Sequence, residues 1–261
     1  MDRRKALLSL VRIRHTGQVV GIVAVLGAKQ YGVSVQALLA IASFLCLSLA
    51  LFAFDDAHDS ASDRLVHPHR AIPLGVLTVK QVYMIGSLFF CLGLASASTL
   101  MLQQLILFLA VAGLGFAVIF VTLTSMMRAL FTAAMMFLLV PFSTSMSARS
   151  LLFGLIVAIP HVAGSITKDF LHQTGDERVG LSPPAPWTRY LASGLFVLCG
   201  GIMLLPIALT SVSWLYLPLI SPAVVSCLIL GYKVFYQQYP KVYIYGGIGM
   251  LSTLVAFSIA V

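Results

Sequence analysis

The chain has 261 residues, of which 60% are hydrophobic and only 9% are charged; 16 Lys and Arg against 8 Asp and Glu give a formal net charge of +8. Water-soluble globular domains typically carry about 25% charged residues and about 45 to 50% apolar ones, so the composition excludes that class. It also excludes a collagen-like or disordered chain, because the Gly and Pro residues are spread without a period among large apolar residues. We therefore expect a protein embedded in a lipid bilayer, with no nucleic acid as partner.

Mainly apolar segments follow one another along the whole chain. A membrane-spanning helix needs about 20 such residues, and polar breaks separate nine candidates, the break between the fourth and fifth resting mainly on Arg128. We expect one all-α transmembrane domain over residues 1–261. The predicted spans are 17–31, 33–54, 81–98, 102–124, 129–146, 151–167, 190–210, 215–232 and 242–261.

The first span follows a cluster of cations, which is also typical of a signal peptide. Eight more spans come after it, so we interpret it as a retained helix. Arg12 and Arg14, at its start, are interpreted as anchors at the membrane interface.

The positions of the cations predict the orientation. With the N-terminus in the cytoplasm, 14 of the 16 Lys and Arg fall in cytoplasmic segments, and only Lys29 and Arg149 fall outside. Cytoplasmic loops of membrane proteins carry such an excess. We expect a multi-pass protein of the cell membrane, with its N-terminus inside and its C-terminus outside.

Seven of the eight acidic residues lie in two short segments, each directly after a predicted span on the cytoplasmic side. If the second helix extends beyond the membrane, Asp55, Asp59 and Asp63 share one of its faces, because residues four apart lie together. Like charges at that spacing repel, so a counter-charge is expected, and carboxylate oxygens suit Mg²⁺. The alternative is a solvated acidic loop.

The second acidic segment makes that alternative weaker. Asp169, His172 and Asp176 follow the spacing of one helix face, directly after the sixth predicted span. Mg²⁺ usually binds through one or two carboxylates together with substrate phosphates. Two acidic faces at one membrane surface, with cations nearby, therefore favour a polyphosphate ligand; the cations are Arg70, Arg128 and Lys168.

The two segments together resemble the motifs of the UbiA superfamily of intramembrane prenyltransferases. Its members carry N-D-x-x-D-x-x-x-D, then a stretch like R-P-x-R-P-[IL]-P, and later K-D-x-x-D-x-x-G-D-x-x-x-G. This sequence has DDAHDSASD at 55–63, HPHRAIP at 67–73 and KDFLHQTGDERVG at 168–180, with the same spacing.

The resemblance implies nine helices in a single bundle around a central cavity that opens near the cytoplasmic face. It also implies an enzyme that binds an isoprenoid diphosphate through Mg²⁺, ionises it to an allylic cation and transfers the prenyl group to a lipophilic aromatic or lipid acceptor. Arg70, Arg128 and Lys168 would bind the diphosphate. The implied metal ligands are Asp55, Asp59, Asp63, Asp169 and Asp176, and the implied catalytic residues are Asp59, Asp63, Asp169, Asp176 and His172.

Two positions depart from the family pattern. Asp55 stands where the family usually has Asn, which keeps an oxygen ligand and adds a charge. His172 replaces an Asp, and a neutral imidazole is a poor partner for Mg²⁺. The second metal site is then weakened, or His172 has another task.

This departure leaves a terpene cyclase of the same family as the alternative, in which the cation reacts with the substrate's own double bonds. A cation transporter is disfavoured. Its site would lie near the bilayer midplane, whereas these carboxylates lie at the membrane edge.

The charge asymmetry predicts that both acidic segments face the cytoplasm. Cysteines introduced at Ser60 and Gln173 should therefore react with a membrane-impermeant thiol reagent only after cells are opened. The unsubstituted protein, with its own four cysteines, serves as background. Labelling of either position in intact cells would contradict this orientation.

Overall fold

The computed structural model describes residues 8, 10–68, 70–178, 184–210, 212–239 and 242–260, without the side chains of residues 14, 65, 66 and 172–178. Within these ranges the chain forms helices and no strands, which confirms the all-α prediction. The helices are α1 (Ile13–Tyr31), α2 (Val35–His58), α3 (Ser60–Val66), α4 (Val79–Ser98), α5 (Leu102–Phe120), α6 (Ser125–Ser143), α7 (Ala148–Arg178), α8 (Pro186–Ile202), α9 (Leu205–Leu209), α10 (Tyr216–Phe235) and α11 (Val242–Ala260).

Each of the nine predicted spans coincides with helix in this structure. Eight helical segments within the described ranges are long and apolar enough to cross a membrane. Helix α1, which covers the first predicted span, is not among them because polar residues occupy both of its ends. The span predicted at 190–210 is divided between α8 and α9, since the chain turns at Met203 and restarts with Pro206 in the first turn of α9.

The break placed at Arg128 is corrected. Helix α5 ends at Phe120 and α6 already begins at Ser125, so Arg128 lies in the first turn of α6. The hydroxyl of Thr124 caps α6 by accepting a hydrogen bond from the backbone N–H of Met127 at 3.3 Å. A capping hydroxyl satisfies one of the unpaired N–H groups at a helix start. The start of α6 is therefore set by Thr124 and lies a few residues before Arg128.

The helices form two compact units, Met1–Thr122 and Leu123–Val261. In the first unit α2 packs against α1, α4 and α5, and in the second α7 packs against α6 and α8 while α10 packs against α8 and α11. Both units begin with an antiparallel pair of long helices, α1 with α2 and α6 with α7. Each acidic segment lies at the far end of the second helix of its pair.

The helical hydrogen bonding of α2 continues into the first acidic segment. The backbone N–H of Asp59 donates to the carbonyl of Asp55 at 2.9 Å, and that of Asp63 donates to the carbonyl of Asp59 at 2.9 Å. Helix α3 therefore follows α2 with only Asp59 between them, and His67 closes α3 in the same way through the carbonyl of Asp63 at 2.8 Å. The acidic segment is thus held on helical backbone rather than in a loop.

Small residues let α4 approach α2 closely. A Cβ on Gly93 would lie 3.0 Å from the backbone oxygen of Ser43 and 3.4 Å from the backbone nitrogen of Leu47. Small residues at helix contacts are typical of membrane proteins, where close packing holds helices together. Gly93 therefore sets the distance between α4 and the helix that carries the first acidic segment.

This contact predicts that Gly93→Val destabilises the protein by about 1 to 3 kcal/mol, the usual range for overpacking. The backbone atoms opposite Gly93 cannot move aside as a flexible side chain could. Gly113→Val in α5 is the matched control, because a Cβ there meets nothing within 4 Å and valine has the same helix propensity at both sites. Thermal unfolding in detergent should show a lower midpoint for Gly93→Val than for Gly113→Val, and equal midpoints would contradict the packing argument.

Candidate diphosphate and metal site

The carboxylates of the first acidic segment differ sharply in exposure. The side chain of Asp56 is 3% exposed, that of Asp63 is 6% exposed and that of Asp55 is 31% exposed, while Asp59 lies on the surface. A buried carboxylate is unfavourable unless it is paired and hydrogen-bonded. The segment therefore needs cations close by.

Two arginines supply this charge. The Nη2 atom of Arg12 lies 2.7 Å from Oδ2 of Asp55 and 2.5 Å from Oδ1 of Asp56. The Nη1 atom of Arg70 lies 3.1 Å from Oδ1 of Asp56 and 2.6 Å from Oδ2 of Asp63. The five side chains form one chain of ion pairs, which we call the carboxylate–arginine network: Asp55, Arg12, Asp56, Arg70 and Asp63.

The position of Arg12 corrects its expected role as an interfacial anchor. Its guanidinium binds two carboxylates and lies 4.9 Å from the centre of the Phe52 ring. Burial alone would lower the pKa of Arg12, but the negative charges of Asp55 and Asp56 outweigh burial and raise its pKa. Arg12 is therefore a permanently charged member of the network. The side chain of Arg14 lies outside the described residues.

Asp56 was not among the expected metal ligands, although the family motif N-D-x-x-D-x-x-x-D has an aspartate at its position. Both of its ion pairs use Oδ1, while Oδ2 is buried and has no hydrogen-bond partner among the residues that the structure describes. A hard anionic oxygen without a partner is the type of ligand that Mg²⁺ prefers. The oxygen ligands of the first acidic segment therefore fit Mg²⁺, the ion that the family resemblance implies.

The carboxylates nevertheless do not form a cage. Among the side chains that the structure describes, no three His, Cys, Asp or Glu residues converge on a common point. Mg²⁺ usually keeps waters and takes only one or two carboxylates plus substrate phosphates. An open arrangement of this kind suits an ion that arrives with a phosphate ligand.

The second acidic segment lies on the continuous helix α7. Asp169 is half-buried and accepts a hydrogen bond from the hydroxyl of Ser125 at the start of α6, while Lys168 and Arg128 are exposed. The backbone of His172 and Asp176 is helical, and their side chains lie outside the described residues. The structure thus brings Asp169 to the end of α6 that also carries Arg128, and it adds Ser125 to the candidate residues.

The two units place a donor against an aspartate in the same way. Arg12 binds Asp56 across 44 residues, and Ser125 binds Asp169 across 44 residues. Each donor lies at the start of the first helix of its antiparallel pair, and each aspartate lies at the end of the second. Residues equidistant from the short connection of such a pair come together, and this signal could have identified Arg12 and Ser125.

A cavity adjoins the second acidic segment. It has a volume of about 280 Å³, and Ser125, the hydroxyl partner of Asp169, is part of its wall. Apolar and small residues dominate the rest of the wall, so the cavity suits a hydrocarbon group. Its lining residues are Thr124, Ser125, Met126, Ile166, Pro184, Ala185 and Thr188.

Comparison with known proteins gives a consistent family and fold. The model of the UbiA prenyltransferase family matches residues 19–242. A structure of digeranylgeranylglyceryl phosphate synthase is similar over 100% of both chains, with a TM-score of 0.75 and 19% identity. The apo structure of a UbiA homologue from Aeropyrum pernix K1 has a TM-score of 0.72 and 15% identity, over 95% of this chain and 97% of the other.

A UbiA homologue from Archaeoglobus fulgidus, solved with GPP and Mg²⁺, has a TM-score of 0.69 and 15% identity over 95% of this chain and 97% of the other. At such identities the structural similarity shows a shared fold. A search of the curated proteins found no match.

The carboxylate–arginine network predicts unequal effects of removing single carboxylates. Asp56→Ala leaves Arg12 and Arg70 without their shared partner, and breaking a buried ion pair in this way costs about 3 kcal/mol or more. Asp59→Ala is the matched control, because Asp59 is exposed and exposed charges contribute about 1 kcal/mol or less. Unfolding in detergent without divalent cations should show a clear loss of stability for Asp56→Ala alone. A similar loss in both variants would contradict the network.

Proposed function

Because the chain belongs to the UbiA prenyltransferase family, we propose that it is an integral membrane enzyme that binds an isoprenoid diphosphate and transfers its prenyl group to a lipophilic acceptor. The acceptor would be an aromatic or lipid molecule. The A. fulgidus homologue, which has the same fold, binds GPP with Mg²⁺, and a second structure of it contains DMAPP with Mg²⁺. These ligands support an isoprenoid diphosphate as the donor substrate.

The observation that carries the proposal is the buried Asp56, which is held between Arg12 and Arg70 and has one oxygen that no described residue pairs with. Such an arrangement supplies anionic oxygen for a divalent cation and guanidinium groups for phosphate oxygens within one small region. The carboxylate–arginine network lies at the end of α2, and α2 is a candidate membrane span. Charged groups next to an apolar helix suit a substrate with a charged head and a hydrocarbon tail.

We assign the roles of the other residues from the family pattern and the charges. Arg70, Arg128 and Lys168 would bind the diphosphate oxygens, and Ser125 would keep Asp169 oriented through its hydroxyl. The residues that would hold Mg²⁺ are Asp55, Asp56, Asp59, Asp63, Asp169 and Asp176. Mg²⁺, when bound, would stabilise the negative charge that develops on the leaving diphosphate.

In the proposed reaction the bond between C1 of the prenyl group and the diphosphate oxygen breaks, and diphosphate leaves with the electron pair. An allylic cation remains, which the acceptor attacks at C1 before losing a proton to a base. The chain's apolar helices exclude water that would otherwise capture the cation. The arginines and Lys168 act on the leaving group, where their charge is most favourable.

His172 supports one second candidate, a terpene cyclase. A neutral imidazole is suited to removing a proton from a cyclised cation, and here a histidine replaces a family aspartate. Product extraction with and without aromatic and lipid acceptors separates the two functions. A prenylated acceptor supports transfer, and a cyclic hydrocarbon formed without acceptor supports cyclisation.

The proposal predicts that turnover depends on both acidic segments and on a divalent cation. Asp59→Ala and Asp176→Ala should each lower diphosphate release at least about a hundredfold, which corresponds to about 2.7 kcal/mol of lost transition-state stabilisation. Glu177→Ala is the matched control, since it removes a neighbouring charge at a position that the family motif leaves variable. EDTA should abolish release and Mg²⁺ should restore it. Near-normal turnover in either aspartate variant, or with EDTA, would contradict the mechanism.

A further inference from the structure

We propose that Arg12 is the resident counter-ion of the first acidic segment and makes divalent-cation binding depend on diphosphate. This inference deepens the proposed function and rests on it for the identity of the diphosphate. Arg12 would neutralise Asp55 and Asp56 before substrate arrives, so that the segment attracts a free cation only weakly. A cation that arrives together with an anionic diphosphate would bind much more readily.

The geometry places Arg12 where a cation would compete with it. One nitrogen of its guanidinium contacts both Asp55 and Asp56, at 2.7 and 2.5 Å. The Arg12 side chain is only 22% exposed, and its face lies against Phe52. Its positive charge is therefore fixed beside the carboxylates rather than free to move into water.

The backbone of Arg12 also indicates a constrained position. Its φ of 42° and ψ of 55° lie in the left-handed region at the start of α1. Non-glycine residues in this region carry strain of about 1 kcal/mol or more, and surrounding contacts must hold them there. The ion pairs to Asp55 and Asp56 and the contact with Phe52 hold its side chain, while its carbonyl accepts hydrogen bonds from the backbone N–H groups of His15 and Thr16.

The charges within the carboxylate–arginine network give the direction of the effect. Three carboxylates against two guanidinium groups leave one negative charge. Loss of Arg12 would double that charge and strengthen the attraction for a dication. Loss of Asp55 would cancel it, and loss of both would return the network to its original charge.

Asp55 carries a negative charge that the family pattern usually lacks. The family usually has Asn at this position, and Asp55 therefore adds one charge to the first acidic segment. In the structure it forms an ion pair with Arg12. We infer that Arg12 offsets the additional charge, and that Asp55→Asn keeps an oxygen ligand while removing that charge.

The test is a titration of the detergent-solubilised full chain with Mn²⁺, followed by electron paramagnetic resonance of the free ion. Mn²⁺ is a suitable probe because the same oxygen ligands bind it and Mg²⁺. Each titration is made with and without inorganic pyrophosphate. The proteins are the unsubstituted chain, Arg12→Gln, Asp55→Asn, the double variant and Lys80→Gln, a control that removes an exposed cation from the first turn of α4.

Without pyrophosphate, Arg12→Gln should bind Mn²⁺ about tenfold more tightly than the unsubstituted chain, since one cation beside the carboxylates is gone. Asp55→Asn should bind it more weakly, and the double variant should return close to the original affinity. Pyrophosphate should strengthen Mn²⁺ binding less in Arg12→Gln than in the unsubstituted chain. Arg12→Gln and Asp55→Asn break the same ion pair, so damage to the fold would shift both variants in the same direction, whereas the charges predict opposite directions.

Unchanged or weaker Mn²⁺ binding by Arg12→Gln would overturn the inference, and so would equal tightening in Lys80→Gln. These affinities require no turnover. If the predicted order of affinities appeared in a protein that left every prenyl diphosphate intact, the counter-ion role would stand and the proposed function would fail. If prenyl diphosphates were turned over but the Mn²⁺ affinities did not follow the predicted order, the proposed function would stand and the counter-ion role would fail.

Discussion

A carboxylate at the end of an apolar helix must find positive charge, because burial of an unpaired charge is very unfavourable. Asp56 meets this requirement through Arg12 and Arg70, which share its Oδ1 atom. One of these arginines comes from the segment before α1 and the other from the chain after α3. The network can therefore form only when α1 is paired with α2 and the chain after α3 has folded back towards the end of α2.

In the second unit, the described partner of the aspartate at the end of the long helix is a neutral hydroxyl. Ser125 takes the place beside Asp169 that Arg12 takes beside Asp56, at an equal separation along the chain. A hydroxyl orients a carboxylate without neutralising it. Among the described side chains, Asp56 is therefore compensated by charge, whereas Asp169 is oriented by a hydrogen bond.

Apolar length and motif spacing were enough to predict the helical class, the positions of the spans and both acidic segments. Helix periodicity placed Asp55, Asp59 and Asp63 together, but it could not show that Asp56 faces inward, since that depends on which helices surround α2. Arg12 and Ser125 were likewise not predicted, because their partners lie 44 residues away and meet them only through helix pairing. Arg128 gave an approximate helix boundary, whereas the capping hydroxyl of Thr124 sets the actual one.

The central claim is that this chain ionises an isoprenoid diphosphate. The most direct measurement is incubation of the purified protein with labelled C10, C15 and C20 prenyl diphosphates, Mg²⁺ and a set of aromatic and lipid acceptors. We expect release of diphosphate that requires Mg²⁺, with the label recovered in an extractable lipophilic product. Recovery of all three prenyl diphosphates intact, from a folded protein supplied with every acceptor, would contradict it.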